Sequence, residues 1–138
     1  MKIIQVVGRS NSGKTTFIKQ LIPKLKTQGR VAVIKHLGDH EYKLEEGKDT
    51  TGFFDAGADF SVGIDAHKSV AAIRNNSLES SLRLLYNQGI DFTVIEGFKQ
   101  KAFPRIVIGD LETDNCILTN PCTDEVLASI DAFEDFCP

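Results

Sequence analysis

The chain has only three cysteines, Cys116, Cys122 and Cys137. An odd count with no CxxC spacing argues against a disulfide framework and against an all-cysteine zinc site, and it fits a reducing compartment. No apolar run approaches the roughly 20 residues that a bilayer-spanning helix needs. The apolar stretch Ile3 to Val7 is too short for a signal peptide and lacks a cleavage site. The expected location is therefore the cytoplasm, with no membrane partner. Basic runs are missing as well. A net charge of -3 with dispersed Lys and Arg gives no general attraction to nucleic acid or anionic lipid. No GxSxG elbow occurs, and no Ser/His/Asp arrangement can be placed. Internal repeats, linkers and low-complexity segments are absent too.

What is present is the composition of an ordinary globular protein, 41% hydrophobic and 25% charged over 138 residues. That length suits one domain better than two. Lys2 to Val7 is β-branched and apolar, which predicts a short buried strand. Thr15 to Gln28 carries Phe17, Ile18, Leu21, Ile22 and Leu25 at helical spacing, with Pro23 inside and Gly29 as terminator. Val31 to Leu37 reads as the next strand, completing a right-handed βαβ unit. Gly38 to Gly47 is polar and turn-rich, and Lys48 to Ala56 is a candidate short helix. Phe60 to Ile64 and Ser69 to Arg74 read as a β-hairpin. A helix capped by Asn76 or Ser77 should run to Gln88, ended by Gly89. Phe92 to Ile95, Arg105 to Ile108 and Cys116 to Leu118 are further strands, and Asp124 to Phe133 is a last helix. The alternation predicts a single α/β domain over residues 1–138, with a largely parallel β-sheet flanked by helices and a β-hairpin insertion.

Between the first strand and the first helix stands Gly8-Arg9-Ser10-Asn11-Ser12-Gly13-Lys14-Thr15, a GxxxxGK[ST] phosphate loop. The glycines let the backbone turn tightly around an anion. Successive N–H groups then point inward, and the helix beginning near Lys14 adds its positive end. Lys14 would reach the β and γ phosphates, and the Thr15 hydroxyl would join a Mg2+ shell. Such a loop also needs an acidic residue at the end of a neighbouring strand. Glu96, directly after Phe92 to Ile95, is that candidate. Asp49, at a helix start, is a second.

Other features point less clearly. His36 and His40 straddle a strand end and Gly38, so they do not share a helix face as a zinc pair does. Asn120 to Asp124 (Asn-Pro-Cys-Thr-Asp) stands where guanine-specific proteins carry Asn-Lys-x-Asp, but it lacks the Lys and its Asp is one residue late. Rapid hydrolysis needs an arginine finger. Arg9 lies in the loop, and Arg74 or Arg105 is a candidate to act across a dimer.

Four segments together resemble the MobB family of molybdopterin-guanine dinucleotide biosynthesis adapter proteins. They are GRSNSGKTT with FIKQLIPKLKTQG behind it, VIKHLGDH, EGKDTTGFFDAGAD, and VIEGFKQKAFPRIVI. The resemblance covers about Lys2 to Ile108 and fades beyond it. Members often carry a basic residue between the GKD[ST] and AGA elements, and Thr51 to Asp55 has none. The resemblance implies a GTP-binding, weakly GTP-hydrolysing homodimer that assists the molybdenum cofactor guanylyltransferase, with a molybdopterin-related ligand as a further candidate partner. Residue by residue, it implies that Gly8, Ser10, Asn11, Ser12, Gly13, Lys14, Thr15 and Thr16 bind phosphates, and that Thr15, Glu96 and Asp49 lie at Mg2+. Lys14, Glu96 and Asp49 would serve hydrolysis, with His36, Lys48 and Lys99 on the same face.

Two other readings use the same loop. A small-molecule kinase needs an acceptor pocket with a general base and, as a rule, an arginine-rich lid. The chain has only five arginines and no basic lid segment. A nucleotide-sensing module that never hydrolyses its ligand needs neither.

Overall fold

β-Branched residues concentrate in three segments that become the centre of a parallel sheet. The computed structural model describes all residues, Met1–Pro138. Strands β1 (Lys2–Val7), β5 (Phe92–Glu96) and β6 (Arg105–Val107) are buried almost throughout. They are flanked by β2 (Val31–Lys35) and β7 (Cys116–Thr119), in the order β2-β5-β1-β6-β7. All four of these pairings are parallel. A short strand, β8 (Glu134–Asp135), which the sequence does not announce, pairs antiparallel with Lys2 and Ile3 of β1. It shares that edge with β6, which takes Gln5, Val6 and Val7.

The chain forms two compact units. The first comprises Met1–His36 and Leu82–Pro138, and the second comprises Leu37–Ser81. In the first, helix α1 (Lys14–Lys26) lays Phe17, Ile18, Leu21 and Leu25 over Ile4, Val6, Val94 and Ile106. Burying each of these apolar side chains contributes about 1.5–3 kcal/mol. Pro23 lies near the C-terminal end of α1, exposed, and the helix runs through it. The last helix is shorter than its apolar pattern predicts. Helix α4 covers Thr123–Ala128, and the chain then tightens into a 3₁₀ turn at Ile130–Ala132. Ser129 has left helical geometry by then, with φ -104 and ψ 15.

In the second unit, α2 (Asp49–Asp55) packs on an antiparallel hairpin of β3 (Phe60–Ile64) and β4 (Ser69–Ile73). The Ser61 hydroxyl donates to the Thr50 carbonyl at 2.6 Å, tying the hairpin to the helix. The opposite face of β3 is open: Phe60, Val62 and Ile64 are 59%, 48% and 80% exposed. Helix α3 (Leu78–Asn87) leads out of this unit. Ser77 caps it, its Oγ accepting from the Ser80 N–H at 3.3 Å.

Candidate functional site

The loop between β1 and α1 is shaped by contacts that only glycine tolerates. A Cβ on Gly8 would lie 2.4 Å from the Ile108 carbonyl oxygen and 2.6 Å from Ser12 Oγ. Gly13 takes φ 97 and Asn11 takes φ 60, both in the left-handed region. Helix α1 starts at Lys14 with no side-chain cap and no acid in its first turn. Its first N–H groups are therefore unspent by side chains, and its positive end is undiluted. Ser12 Oγ is buried with no hydrogen-bond partner. A buried, unsatisfied donor beside free N–H groups suits an anionic oxygen.

The Lys14 ammonium lies across this loop, donating to the Arg9 carbonyl at 2.7 Å and the Gly8 carbonyl at 3.3 Å. Burial pushes its pKa below the ordinary lysine value, Glu96 pushes it back up, and Lys99 and Lys35 push it down again. Glu96 ends β5 and is buried. The Thr15 hydroxyl donates to its carboxylate at 3.3 and 3.4 Å, and Lys35 Nζ lies 3.3 Å from the same Oε1. Lys35 and Lys14 thus face one carboxylate, and Lys99 acts on Lys14 from nearby, leaving an excess of positive charge at the end of the phosphate loop. Glu96 thus pairs with one cation, the Lys35 ammonium. No group of three His, Cys, Asp or Glu converges anywhere in the chain to hold a metal. A divalent ion here would share its shell with phosphate oxygens, as Mg2+ does.

The structure therefore brings together Lys14, Thr15 and Glu96, puts the expected Lys99 within reach of Lys14, and adds Lys35. His36 stacks on Phe98 at 4.3 Å, beside the turn that follows Glu96. Asp49 and Lys48 belong to the second unit. There Asp49 opens α2 and, with Glu46, Phe53 and Asp55, lines a cleft of about 420 Å³. Lys48 pairs with Glu45 at 3.6 Å.

The arginines proposed as fingers are all engaged elsewhere. Arg105 is 3% exposed, with its guanidinium committed to loop carbonyls, so it cannot reach across a dimer. Arg74 stacks over Phe54 at 4.1 Å and bonds the Phe54 and Ala58 carbonyls. Arg9 pairs with Asp110 at 3.2 Å on the surface.

Nor does the Asn120 segment present a base reader. Asn120 Oδ1 accepts from the Gly109 N–H at 2.7 Å, and its Nδ2 donates to the Gly109 carbonyl at 3.0 Å. Asp124 pairs with Lys24 at 3.4 Å. Gly109 in turn backs the phosphate loop, a Cβ there lying 3.3 Å from Ser12 Cβ. Asn120 supports the loop from behind. Its partner stands eleven residues earlier, and no local pattern in the sequence indicates it.

A sequence model of the family described as "MobB: Molybdopterin guanine dinucleotide synthesis protein B" matches residues 3–132. The chain belongs to this family. The match reaches well past Ile108, so the family pattern includes β7 and α4 as well. The chain is 40% identical over 110 residues to the probable molybdopterin-guanine dinucleotide biosynthesis adapter protein of Bacillus subtilis, covering 77% of this chain and 64% of that protein. It is 35% identical over 112 residues to the putative adapter protein of Methanocaldococcus jannaschii, covering 78% of this chain and 47% of that one. It thus spans less than two thirds of these relatives' length. The crystal structure of Bacillus subtilis MobB superposes with a TM-score of 0.75 at 27% identity, covering 99% of this chain and 100% of the other. A Bacillus stearothermophilus MobB homologue gives a TM-score of 0.59 at 22% identity, covering 99% and 74%, which bears on the fold alone. No helix is long and apolar enough to cross a membrane.

Proposed function

We propose that the protein is a GTP-binding, slowly hydrolysing adapter for molybdenum cofactor guanylylation. On this reading it works in the cytoplasm as a homodimer beside the guanylyltransferase, which joins GMP to molybdopterin. The observation that carries the nucleotide reading is the uncapped start of α1, where Lys14, Lys35 and the Thr15 hydroxyl stand beside one buried carboxylate, Glu96. The relatives' names carry the pathway. The exposed apolar face of β3 supports self-association, since a second copy would cover it.

The chain's own groups define the chemistry. Loop N–H groups and the Lys14 ammonium would hold the β and γ phosphates and take up charge as the γ-phosphoryl group leaves. Thr15 and Glu96 would hold Mg2+, which supplies neutralisation of phosphate charge. Glu96 keeps Thr15 oriented through its two contacts. Arg9, Arg74 and Arg105 are spent on other partners, so intrinsic turnover should be slow. Calorimetric titration with GTP and with ATP, each with Mg2+, tests the reading. A clear GTP preference, with phosphate release below about 1 s⁻¹, the lower end of kinase turnover, supports it. Equal or better ATP binding, or phosphorylation of an added small-molecule acceptor, contradicts it.

A further inference from the structure

One turn follows Glu96 before the chain re-enters the sheet at β6. Its carbonyls are held from beneath by two buried side chains. Gln5 is fully buried in the middle of β1, and its Nε2 donates to the Gly97 and Phe98 carbonyls, both at 2.8 Å. Arg105 stands opposite Gln5 in the β1–β6 register. Its Nη1 donates to the Lys99 carbonyl at 3.0 Å and the Thr113 hydroxyl at 3.1 Å. Its Nε donates to the Phe103 carbonyl at 3.3 Å, and Nη2 donates to the Lys101 carbonyl.

No carboxylate accompanies this guanidinium, although Arg105 is only 3% exposed. A buried charge is costly unless hydrogen-bonded, and here backbone carbonyls and the Thr113 hydroxyl satisfy it. The segment is also held in an unfavourable backbone path. Gly97 has φ 94 and Phe98 has φ 53, and the latter is rare for an aromatic residue. Five carbonyls, those of 97, 98, 99, 101 and 103, are drawn inward. The negative ends of the peptide dipoles thus face the buried donors, and the exposed side chain of Lys99 stands on the outer side. That ammonium acts on Lys14, which places it in the electrostatic neighbourhood of the phosphate loop.

We propose that Arg105, assisted by Gln5, is a positioning residue for terminal-phosphate recognition: it fixes the 97–103 turn so that Lys99 meets the outermost phosphate beside Lys14. This inference rests on the phosphate-loop reading and adds to it a residue that never touches the nucleotide. A merely structural Arg105 would support binding of di- and triphosphate alike. A positioning Arg105 supports the triphosphate selectively.

The test is calorimetric titration of the full chain with GTP and with GDP at fixed Mg2+. The proteins are wild type, Lys99→Ala, Arg105→Met, Arg105→Lys and Gln5→Met. Losing one charge-assisted contact to the terminal phosphate should lower the GTP:GDP affinity ratio about tenfold. We expect that fall in both Lys99→Ala and Arg105→Met, with GDP affinity unchanged. Adding Lys99→Ala to Arg105→Met should cost nothing further, because both remove the same contact. Arg105→Lys should recover part of the ratio, since one ammonium can satisfy some of the carbonyls. If Arg105→Met does not fold, Gln5→Met decides, as it keeps length in an apolar site and removes only two donors. A ratio equal to wild type in the folded Arg105 or Gln5 variants overturns the inference, as does equal weakening of both nucleotides. Wild type binding neither nucleotide would instead defeat the phosphate-loop reading on which the inference stands.

Discussion

The two units use their strands in opposite ways. In the first, β1, β5 and β6 are buried almost throughout, and nine of their fourteen residues are apolar. In the second, the hairpin β3–β4 buries Ser61 against α2 and leaves Phe60, Val62 and Ile64 in water. A doubly covered parallel sheet is stiff, so its C-terminal strand ends can hold a phosphate loop and a carboxylate in fixed relation. A hairpin open on one face has few contacts to resist movement and an apolar surface to offer. On the proposed function, nucleotide chemistry belongs to the first unit and association to the second.

The sharpest break in that comparison is at Gly8. A methyl group there would meet the Ile108 carbonyl at 2.4 Å. Gly8→Ala should abolish GTP binding and cost on the order of 2–4 kcal/mol in stability, read by calorimetry and thermal melting. Next comes Glu96→Gln. It should slow phosphate release by about 10- to 100-fold while affinity stays near wild type, because positioning is kept and charge is lost. Single-turnover hydrolysis measures it. In the hairpin, Ile64→Lys should weaken self-association by about 1–3 kcal/mol without altering GTP affinity, read by sedimentation. A change in GTP affinity there would mean that the division of labour is wrong.

The smallest effect concerns the Lys14 charge. Its folded pKa lies below the unfolded value of 10.5, chiefly through burial. Across the window between the two values the unfolded chain binds the extra proton. Stability of the nucleotide-free protein should therefore rise as pH climbs toward 10.5. Lys14→Met should lack this rise and should melt slightly higher than wild type at neutral pH. Thermal melts across pH check both points.

Most of this organisation is legible in the residues. KIIQVV and FTVIE are β-branched runs, and both become central strands. The Gly-Lys-Thr spacing locates the phosphate loop, and Glu96 falls at a strand end where an acid is expected. The period-2 pattern from Phe60 to Ile64 locates the hairpin. What stays hidden depends on partners far away in sequence. Gln5 stands out as a polar residue in an apolar strand, but its acceptors lie 92 and 93 residues later. Arg105 reads as a candidate finger across a dimer, and only the register beside β1 reveals that it is buried. Asn120 resembles part of a base-reading motif, yet its amide is engaged by Gly109. β8 has only two residues, too few for any periodic signal.

The central claim is that the loop from Gly8 to Thr16 holds the phosphates of GTP. Wild type and Lys14→Ala, titrated side by side with GTP at fixed Mg2+, test it most directly. Removing the ammonium deletes charge-assisted bonds worth about 1.5–3 kcal/mol each, so the Kd should rise by about 10- to 100-fold or beyond detection. An unchanged Kd in Lys14→Ala would contradict the account.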